Sequence, residues 1–181
     1  MIYDIQKKYK EEVVPKLKES AYRKNSHAVP RIVKVVVNTG TGSVKDKERI
    51  KLIEKHLSLI TGQHPIETVA KKAIASFKTR EGSHVGYNIT LRGKRMYDFL
   101  NRMIFVAIPR QRDFRGINLK SVDGFGNLTI GFKDHLVFPE MVGQDVRDAF
   151  GFAVTVVTTA EDKDTAVEFF RSLGFPLKKE K

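Results

Sequence analysis

The chain has 181 residues and a mass of 20.6 kDa, a size that fits one domain with its own hydrophobic core. It contains no cysteine, which excludes disulfides, thiolate zinc sites and cysteine nucleophiles and is typical of a reducing, cytoplasmic setting. The 33 lysine and arginine residues outnumber the 21 aspartate and glutamate residues, and the net charge of +12 favours a polyanion, above all nucleic acid, as the partner.

Two elements open the chain, a charged helix and a strand. Apolar side chains at four-residue spacing predict a helix over residues 4–21, bent at Pro15 because proline lacks the backbone N–H that a helix needs. Residues 31–39 alternate as a strand with one apolar face does. The side chains expected to point inward are those of Val33, Val35 and Val37. Those expected on the opposite face are Ile32, Lys34, Val36 and Asn38.

Helices and short strands alternate through the rest of the chain. The spacing of apolar residues predicts a second helix that ends at Gly62, a third over about 94–107 that stops before Pro109, and a fourth over about 162–173. Further strands are predicted over residues 66–70, 85–92, 127–132 and 152–160. Because helices of uneven length separate these strands, we expect one α+β domain over residues 1–181, with a mainly antiparallel sheet and helices packed on one of its faces.

One strand and two loops provide the polar surface. In the strand that ends at Arg92, this residue is expected to face outward together with Asn88 and Thr90. A glycine-containing polar stretch at about 71–84 is predicted to be a long, mobile, basic loop, because it has too few apolar groups to pack against the rest of the domain. A second long, exposed loop is predicted at about 110–126.

The charges are distributed unevenly along the chain. Residues 71–116 contain eleven basic and three acidic groups, whereas residues 134–168 contain two basic and eight acidic groups. This contrast indicates two surfaces for two kinds of partner, with purely solvated charge as the alternative. Phe77 and Phe114 each stand beside basic residues, and rings with guanidinium planes stack on the bases of RNA single strands, loops and bulges. RNA is therefore the favoured nucleic acid.

Patterns for catalysis or cofactor binding are missing from the sequence. Gly40-Thr41-Gly42 lacks the third glycine of a dinucleotide-binding loop, and no Walker spacing occurs. The five histidines are scattered without metal-ligand spacing, and we interpret them as surface or capping residues. The longest unbroken apolar run, Met103–Ile108, is far too short to span a bilayer. We therefore expect no enzymatic activity, cofactor, metal site or membrane segment.

Nine short strings occur along the chain in a fixed order. They are VPR (29–31), VNTGTG (37–42), TGQHP (61–65), AKKAIASFKTREG (70–82), TLRGKRMY (90–97), PRQRDFRG (109–116), DGFGN (123–127), FPE (138–140) and LGFP (173–176). Together they closely resemble the bacterial type of large-subunit ribosomal protein five, the family that binds 5S ribosomal RNA. The resemblance covers nearly the whole chain, in family order and with near-family spacing.

This resemblance implies a structural constituent of the large ribosomal subunit in the cytoplasm. A family member is expected in the central protuberance, where it binds 5S rRNA, anchors it to the large-subunit rRNA and touches neighbouring proteins. It is also expected to contact the P-site tRNA through the extended loop. A further expected contact is an intersubunit bridge to protein thirteen of the small-subunit head.

The resemblance also indicates which residues contact RNA. The family's polar trio for 5S rRNA falls on Asn38, Gln63 and Thr90. Lys34 and Arg92 are expected to supply phosphate contacts from the same strand faces. The tRNA loop falls on about residues 71–84, and the contacting side chains expected there are Lys71, Lys72, Phe77, Lys78 and Arg80.

The bridge is expected in the acidic stretch. Asp145 and Asp148 are the candidate residues for it, because a basic ribosomal protein is attracted to carboxylates that repel RNA. Here the sequence departs from the family pattern at residues 141–144 and 150–153, which affects the details of the bridge and not RNA binding.

Two other classes of function compete with this interpretation. A free RNA-binding regulator or chaperone would explain the charge and the aromatic residues equally well, but not the ordered strings. An RNA-modifying enzyme would need a cofactor loop or a nucleophile, and the sequence shows neither.

Overall fold

The sheet is built from five strands. They are β1 (Ile32–Gly40), β2 (Ile66–Val69), β3 (His84–Leu91), β4 (Leu128–Phe132) and β5 (Phe152–Thr158). All neighbours pair antiparallel, in the order β2-β3-β1-β5-β4. The structure is a computed structural model that describes residues 4–19, 25, 28–44, 46–77, 79–112, 114–145 and 148–178.

One face of the sheet is buried and the other is open. On β1 the side chains of Val35 and Val37 are almost fully buried, and on β3 the same is true of Ile89 and Leu91. The residues that alternate with them in sequence, which include Asn38, point the opposite way. We call this second side of the sheet the open face. Both strands confirm the predicted alternation over these positions.

A β-bulge overturns the prediction for the start of β1. Ile32 is buried and Val33 is exposed, the reverse of what strict alternation predicts. The pairing register between β1 and β5 shifts between Ile32 and Lys34. A bulge adds one residue to a strand and so reverses the alternation on one side of it.

Four helices form the second layer. They are α1 (Ile5–Lys8, Tyr9–Val13 and Val14–Glu19), α2 (Lys47–Thr61), α3 (Gly93–Arg102, Met103–Ala107 and Ile108–Arg110) and α4 (Lys163–Leu173). Their buried side chains, such as Leu57, Met96 and Phe169, join those of the sheet in one hydrophobic core. The helices and the antiparallel sheet confirm the α+β fold. No helix in the described part of the chain is long and apolar enough to cross a membrane.

Both composite helices contain a π-helical turn just before a proline. The π-helical segments end two residues before Pro15 in α1 and two residues before Pro109 in α3. A proline ring clashes with the carbonyl group four residues earlier, and these carbonyls belong to Glu11 and Phe105, inside the π-helical segments. The wider turn accommodates the ring. The predicted stop before Pro109 is therefore wrong, and α3 continues to Arg110.

The loop at 110–126 is less exposed than predicted. Ile117 and Val122 are almost fully buried, and a short 3-10 helix covers Leu119–Ser121. Ile117 also pairs with Leu177 near the end of the described chain. The loop is therefore packed against the domain on one side.

Candidate nucleic-acid interface

The centre of the open face is polar. The register between β1 and β3 sets Asn38 directly opposite Asn88 and Val36 directly opposite Thr90. Directly paired and diagonal residues on one sheet face are close enough to act together. Asn38 is exposed and Thr90 is half-buried, so amide and hydroxyl groups from two strands share this surface.

Gln63 reaches the end of β3 from the turn after α2. Its side-chain Nε2 donates a hydrogen bond to the Thr90 carbonyl oxygen at 3.2 Å. The turn itself is fixed by Thr61, whose hydroxyl donates to the Leu57 carbonyl oxygen at 2.7 Å. The structure thus places Gln63 and Thr90 in contact, with Asn38 on the neighbouring strand of the same face.

The two expected phosphate contacts lie on the same side of the sheet. Lys34 is half-buried on β1 and pairs with Val157 of β5. Arg92 is exposed, and its extended backbone (φ −139°, ψ 163°) continues the alternation of β3. Its side chain therefore points to the face that carries Thr90.

The open face has polar residues that the sequence analysis did not assign. Asn88 faces Asn38 across the strand pair. Thr129 on β4 and Thr155 on β5 are also paired, with their Oγ1 atoms 3.0 Å apart. The alternation of apolar residues with Thr129 and Gly131 in β4 was the available signal for Thr129. The polar surface therefore extends from β3 to the β4 edge.

The loop at 71–84 extends β2 and β3 outward as a hairpin. Ile74 and Thr79 exchange two backbone hydrogen bonds, with N···O distances of 3.0 and 3.2 Å. The Ser83 hydroxyl donates to the Arg80 carbonyl oxygen at 2.6 Å. The sequence analysis missed this pairing because the stretch has no apolar alternation. The mobility of the loop stays a prediction.

Most side chains that the structure describes in this hairpin are exposed. Phe77 is 77% exposed, an unusual position for a large aromatic ring. The expected tRNA contacts Lys71, Lys72 and Arg80 are exposed as well. Lys78 lies outside the described residues.

Three polar side chains fix the base of the hairpin. His84 Nδ1 lies 2.8 Å from Glu67 Oε1, and His84 Nε2 lies 2.6 Å from Thr41 Oγ1. The carboxylate accepts a hydrogen bond from the N–H at Nδ1, and Nε2 shares a hydrogen bond with the Thr41 hydroxyl. Thr41 is 1% exposed and cannot meet a substrate, so this carboxylate–histidine–hydroxyl chain is a structural link.

A buried histidine pair attaches the acidic stretch to the helix layer. His56 of α2 and His135 stack with ring centroids 4.9 Å apart, and His56 Nδ1 lies 3.0 Å from His135 Nε2. The backbone N–H of Phe150 points at His135 Nδ1 (3.4 Å), and the Phe150 ring stacks on His135 at 4.2 Å. Burial and then the neighbouring His56 lower the pKa of His135 to about 4.

The pair corrects the interpretation of the histidines as surface or capping residues. His56 and His135 are both buried, whereas His64 is exposed beside Glu54. His27 lies outside the described residues. Among the residues that the structure describes, no group of three or more histidine or acidic side chains is placed to hold a metal ion.

The acidic stretch contains both structural and exposed carboxylates. Glu140 forms an ion pair with Arg102 of α3, and Asp162 caps α4 by accepting a hydrogen bond from the Thr165 N–H at 2.7 Å. Asp145 is exposed and Asp148 is half-buried. Part of the negative charge therefore stabilises the fold, and of the two candidate bridge residues Asp145 is the more exposed.

Comparison with known proteins identifies similar sequences along the whole chain. A family model described as ribosomal protein L5 matches residues 25–80, and a second model, described as the C-terminus of this ribosomal family, matches residues 84–177. The large ribosomal subunit protein uL5 of Halothermothrix orenii is 47% identical, over 93% of this chain and 94% of its own length. The protein of that name from Malacoplasma penetrans is 43% identical, over 100% of this chain and 96% of its own length. The one from Dichelobacter nodosus is 44% identical, over 96% of this chain and 98% of its own length.

Proposed function

Because the chain belongs to the ribosomal protein L5 family, whose members are structural ribosomal proteins and not enzymes, we propose that its open face binds 5S rRNA. In this proposal the protein acts as one RNA-binding domain in the central protuberance of the large subunit. There it anchors 5S rRNA to the large-subunit rRNA and to neighbouring proteins.

The observation that carries the proposal is the shared surface of Asn38, Gln63 and Thr90. Amide and hydroxyl groups both donate and accept hydrogen bonds, so they suit ribose 2′-hydroxyls and base edges. Two of the three side chains project from paired strands, and the third is tied to the Thr90 carbonyl oxygen. Groups held on strands need little ordering when RNA binds, which favours affinity.

The exposed hairpin at 71–84 is the proposed contact for the P-site tRNA. An aromatic ring that is left in solvent beside cations suits stacking on a nucleotide or packing on a ribose–phosphate backbone. The ring is Phe77, and the cations are Lys71, Lys72, Lys78 and Arg80. The link between Glu67, His84 and Thr41 supports the base of the hairpin, so a contact at the tip is transmitted to the sheet.

The proposed bridge to protein thirteen of the small-subunit head rests on Asp145 and Asp148. Carboxylates on an otherwise basic molecule repel RNA and attract a basic protein. Exposed ion pairs of this kind contribute about 0–1 kcal/mol each, which suits a contact that must slip as the subunits rotate.

Affinity for 5S rRNA tests the main proposal. The triple variant Asn38→Ala, Gln63→Ala, Thr90→Ala should bind at least about tenfold more weakly, because each lost hydrogen bond contributes about 0.5–1.5 kcal/mol. The control is Gln6→Ala, a polar side chain exposed on α1, which should leave the affinity unchanged. Unchanged affinity of the triple variant, with an intact circular-dichroism spectrum, would contradict the proposal.

A further inference from the structure

A basic groove adjoins the open face along the β4 edge. The groove has a volume of about 910 Å³ and lies between the segment that follows α3, strand β4 and Lys178 near the end of the described chain. We call it the β4 groove. We propose that it binds the phosphate backbone of an RNA strand that continues off the open face past β4, an inference that rests on the proposed function.

The charge of the β4 groove favours phosphate. Among its described lining residues, Asp134 is the single acidic side chain. Five basic side chains line it: Arg110, Arg112, Arg115, Lys133 and Lys178. Arginine presents a planar fork of donors that matches two phosphate oxygens at once, so three arginines in one groove form a strong site for a polyanion. Asp113 lies outside the described residues.

The walls of the groove are fixed by backbone pairing. The Ile117 N–H donates to the Pro176 carbonyl oxygen at 2.8 Å, and the Lys178 N–H donates to the Ile117 carbonyl oxygen at 2.9 Å. Gly116 stands at this junction with φ +93°, and a Cβ atom there would come within 3.1 Å of the Lys178 side chain. Glycine thus lets the two segments approach closely. Because the pairing holds Lys178 beside the arginine-rich segment, binding needs little ordering of the backbone.

The groove is continuous with the open face. Thr129 and Gly131 line the groove and also belong to the outward positions of β4, next to Thr155 and Ala153 of β5. Nothing lies within 4 Å of the position that a Cβ atom would occupy at Gly131. An RNA strand that lies across the open face can therefore enter the groove without crossing a side-chain barrier at this point.

RNA fits this surface better than an acidic protein does. The cores of protein–protein interfaces are enriched in aromatic residues, methionine and arginine and are largely apolar. The large apolar side chains that are exposed on the described residues include Leu59, Ile66, Phe77 and Phe125, and none of them lines the groove. The apolar side chains that do line the groove, such as Phe114, Leu136 and Val137, pack against the hydrophobic core, so the groove is distinguished by its five cations.

The salt dependence of 5S rRNA binding tests the inference. The variant Arg112→Gln, Arg115→Gln, Lys178→Gln removes three positive charges from the groove. The slope of log affinity against log salt should then become shallower by about 2–3, because each neutralised phosphate contributes about 0.7–0.9 to the slope. The control is Lys10→Gln, Lys16→Gln, Lys18→Gln, which removes the same charge from exposed positions of α1 and should change the slope by less than about 1.

Directed cleavage locates the RNA independently of affinity. The chain has no cysteine, so Lys178→Cys supplies a single thiol for an iron chelate at the groove. Hydroxyl radicals from this position should cut 5S rRNA at one contiguous set of nucleotides. The same label at Lys10→Cys, at an exposed position of α1, should give no localised cut.

The outcomes distinguish a failure of the groove inference from a failure of the proposed 5S rRNA binding. If the wild-type protein does not bind 5S rRNA, the proposed function fails. The groove inference alone is overturned if the wild-type protein binds and the open-face triple variant binds more weakly, but two groove results are negative. These results are an unchanged slope of log affinity against log salt in the groove variant and no RNA cleavage from the label at residue 178. Binding of a polyglutamate peptide that the groove substitutions abolish, with an unchanged RNA slope, would instead assign the groove to an acidic protein.

Discussion

Low pH should weaken the packing of the acidic stretch (residues 134–168) on the helix layer, because it protonates the pair of His56 and His135. Because Phe150 N–H points at His135 Nδ1, His135 donates from Nε2 to His56 Nδ1, and both rings are neutral. A proton added to either ring forces two N–H donors to face each other at one of these contacts. The charged form is also desolvated, since the two residues are 4% and 0% exposed.

The size of the effect follows from the pKa of His135. Burial, followed by His56, lowers this pKa to about 4, although Asp134 and Asp148 act in the opposite direction. An unfolded histidine has a pKa of about 6.5. The folded state therefore binds fewer protons, so stability is complete above pH 6.5 and is lost as the pH falls from 6.5 towards 4. At pH 5 this one group should lower the free energy of unfolding by about 2 kcal/mol relative to pH 8.

His56 should add to this loss. Burial is the main cause of its lowered pKa, and Lys55 acts in the same direction. Asp148 and a hydrogen bond with Gln144 oppose the shift. Both of these opposing groups lie in the acidic stretch, so protonation of the pair and movement of this stretch are coupled.

Urea denaturation at pH 8 and pH 5 measures the loss. The double variant His56→Phe, His135→Phe replaces the pair by rings of similar shape that do not titrate, and it should lose about 2 kcal/mol less than the wild type between the two pH values. His64→Gln is the control, since His64 is exposed, and it should behave as the wild type does. Equal pH dependence in the double variant and the wild type, or an NMR titration of His135 near pH 6.5, would refute the reasoning.

Three further predictions concern the hairpin, the acidic stretch and a glycine. Phe77→Ala should spare 5S rRNA binding and reduce P-site tRNA occupancy on reconstituted ribosomes; loss of 5S binding would place the hairpin in the anchoring interface instead. Asp145→Lys with Asp148→Lys should weaken subunit association at low magnesium, seen by sedimentation, and a fall in 5S affinity would assign this surface to RNA. Gly126→Ala should lower the free energy of unfolding, measured in urea, by about 1–3 kcal/mol, because the new Cβ would lie 2.6 Å from the Cβ of Ala160. Gly124→Ala is the control: its Cβ would meet nothing within 4 Å, and it should change this free energy by less than about 0.5 kcal/mol.

Local patterns predicted the elements and most of the buried residues. The alternation in β3 was sufficient to turn Asn88 and Thr90 outward, and the helical spacing in α4 identified its buried side, because both signals depend on neighbours in the chain. The strand order depends on residues that are distant in the sequence: Asn38 and Asn88 are 50 positions apart, and Val35 and Val156 are 121 positions apart. No local pattern contains that information.

Long-range contacts explain the missed parts of the candidate site. His56 and His135 are 79 residues apart, so no local pattern pairs them, although the spacing of Ile53, His56 and Ile60 puts His56 on the buried side of α2. The β4 groove joins three separate segments of the chain, so its basic residues did not appear as one cluster in the sequence. Gln63 was assigned by family resemblance alone, since a glutamine in a turn after a helix has no periodic signal.

The bulge in β1 shows why the RNA surface and the core cannot be considered separately. Strict alternation would place Ile32 on the face of Lys34 and Asn38, outside the hydrophobic core. The extra residue at Val33 turns Ile32 into the core and leaves Lys34 and Asn38 on the open face. With Val33 in place, regular pairing would have to move Ile32 out of the core or the polar residues into it, because a slip of one residue exchanges the two faces of a strand. The irregularity in the central strand is therefore what allows one strand to serve both the core and the proposed RNA contact.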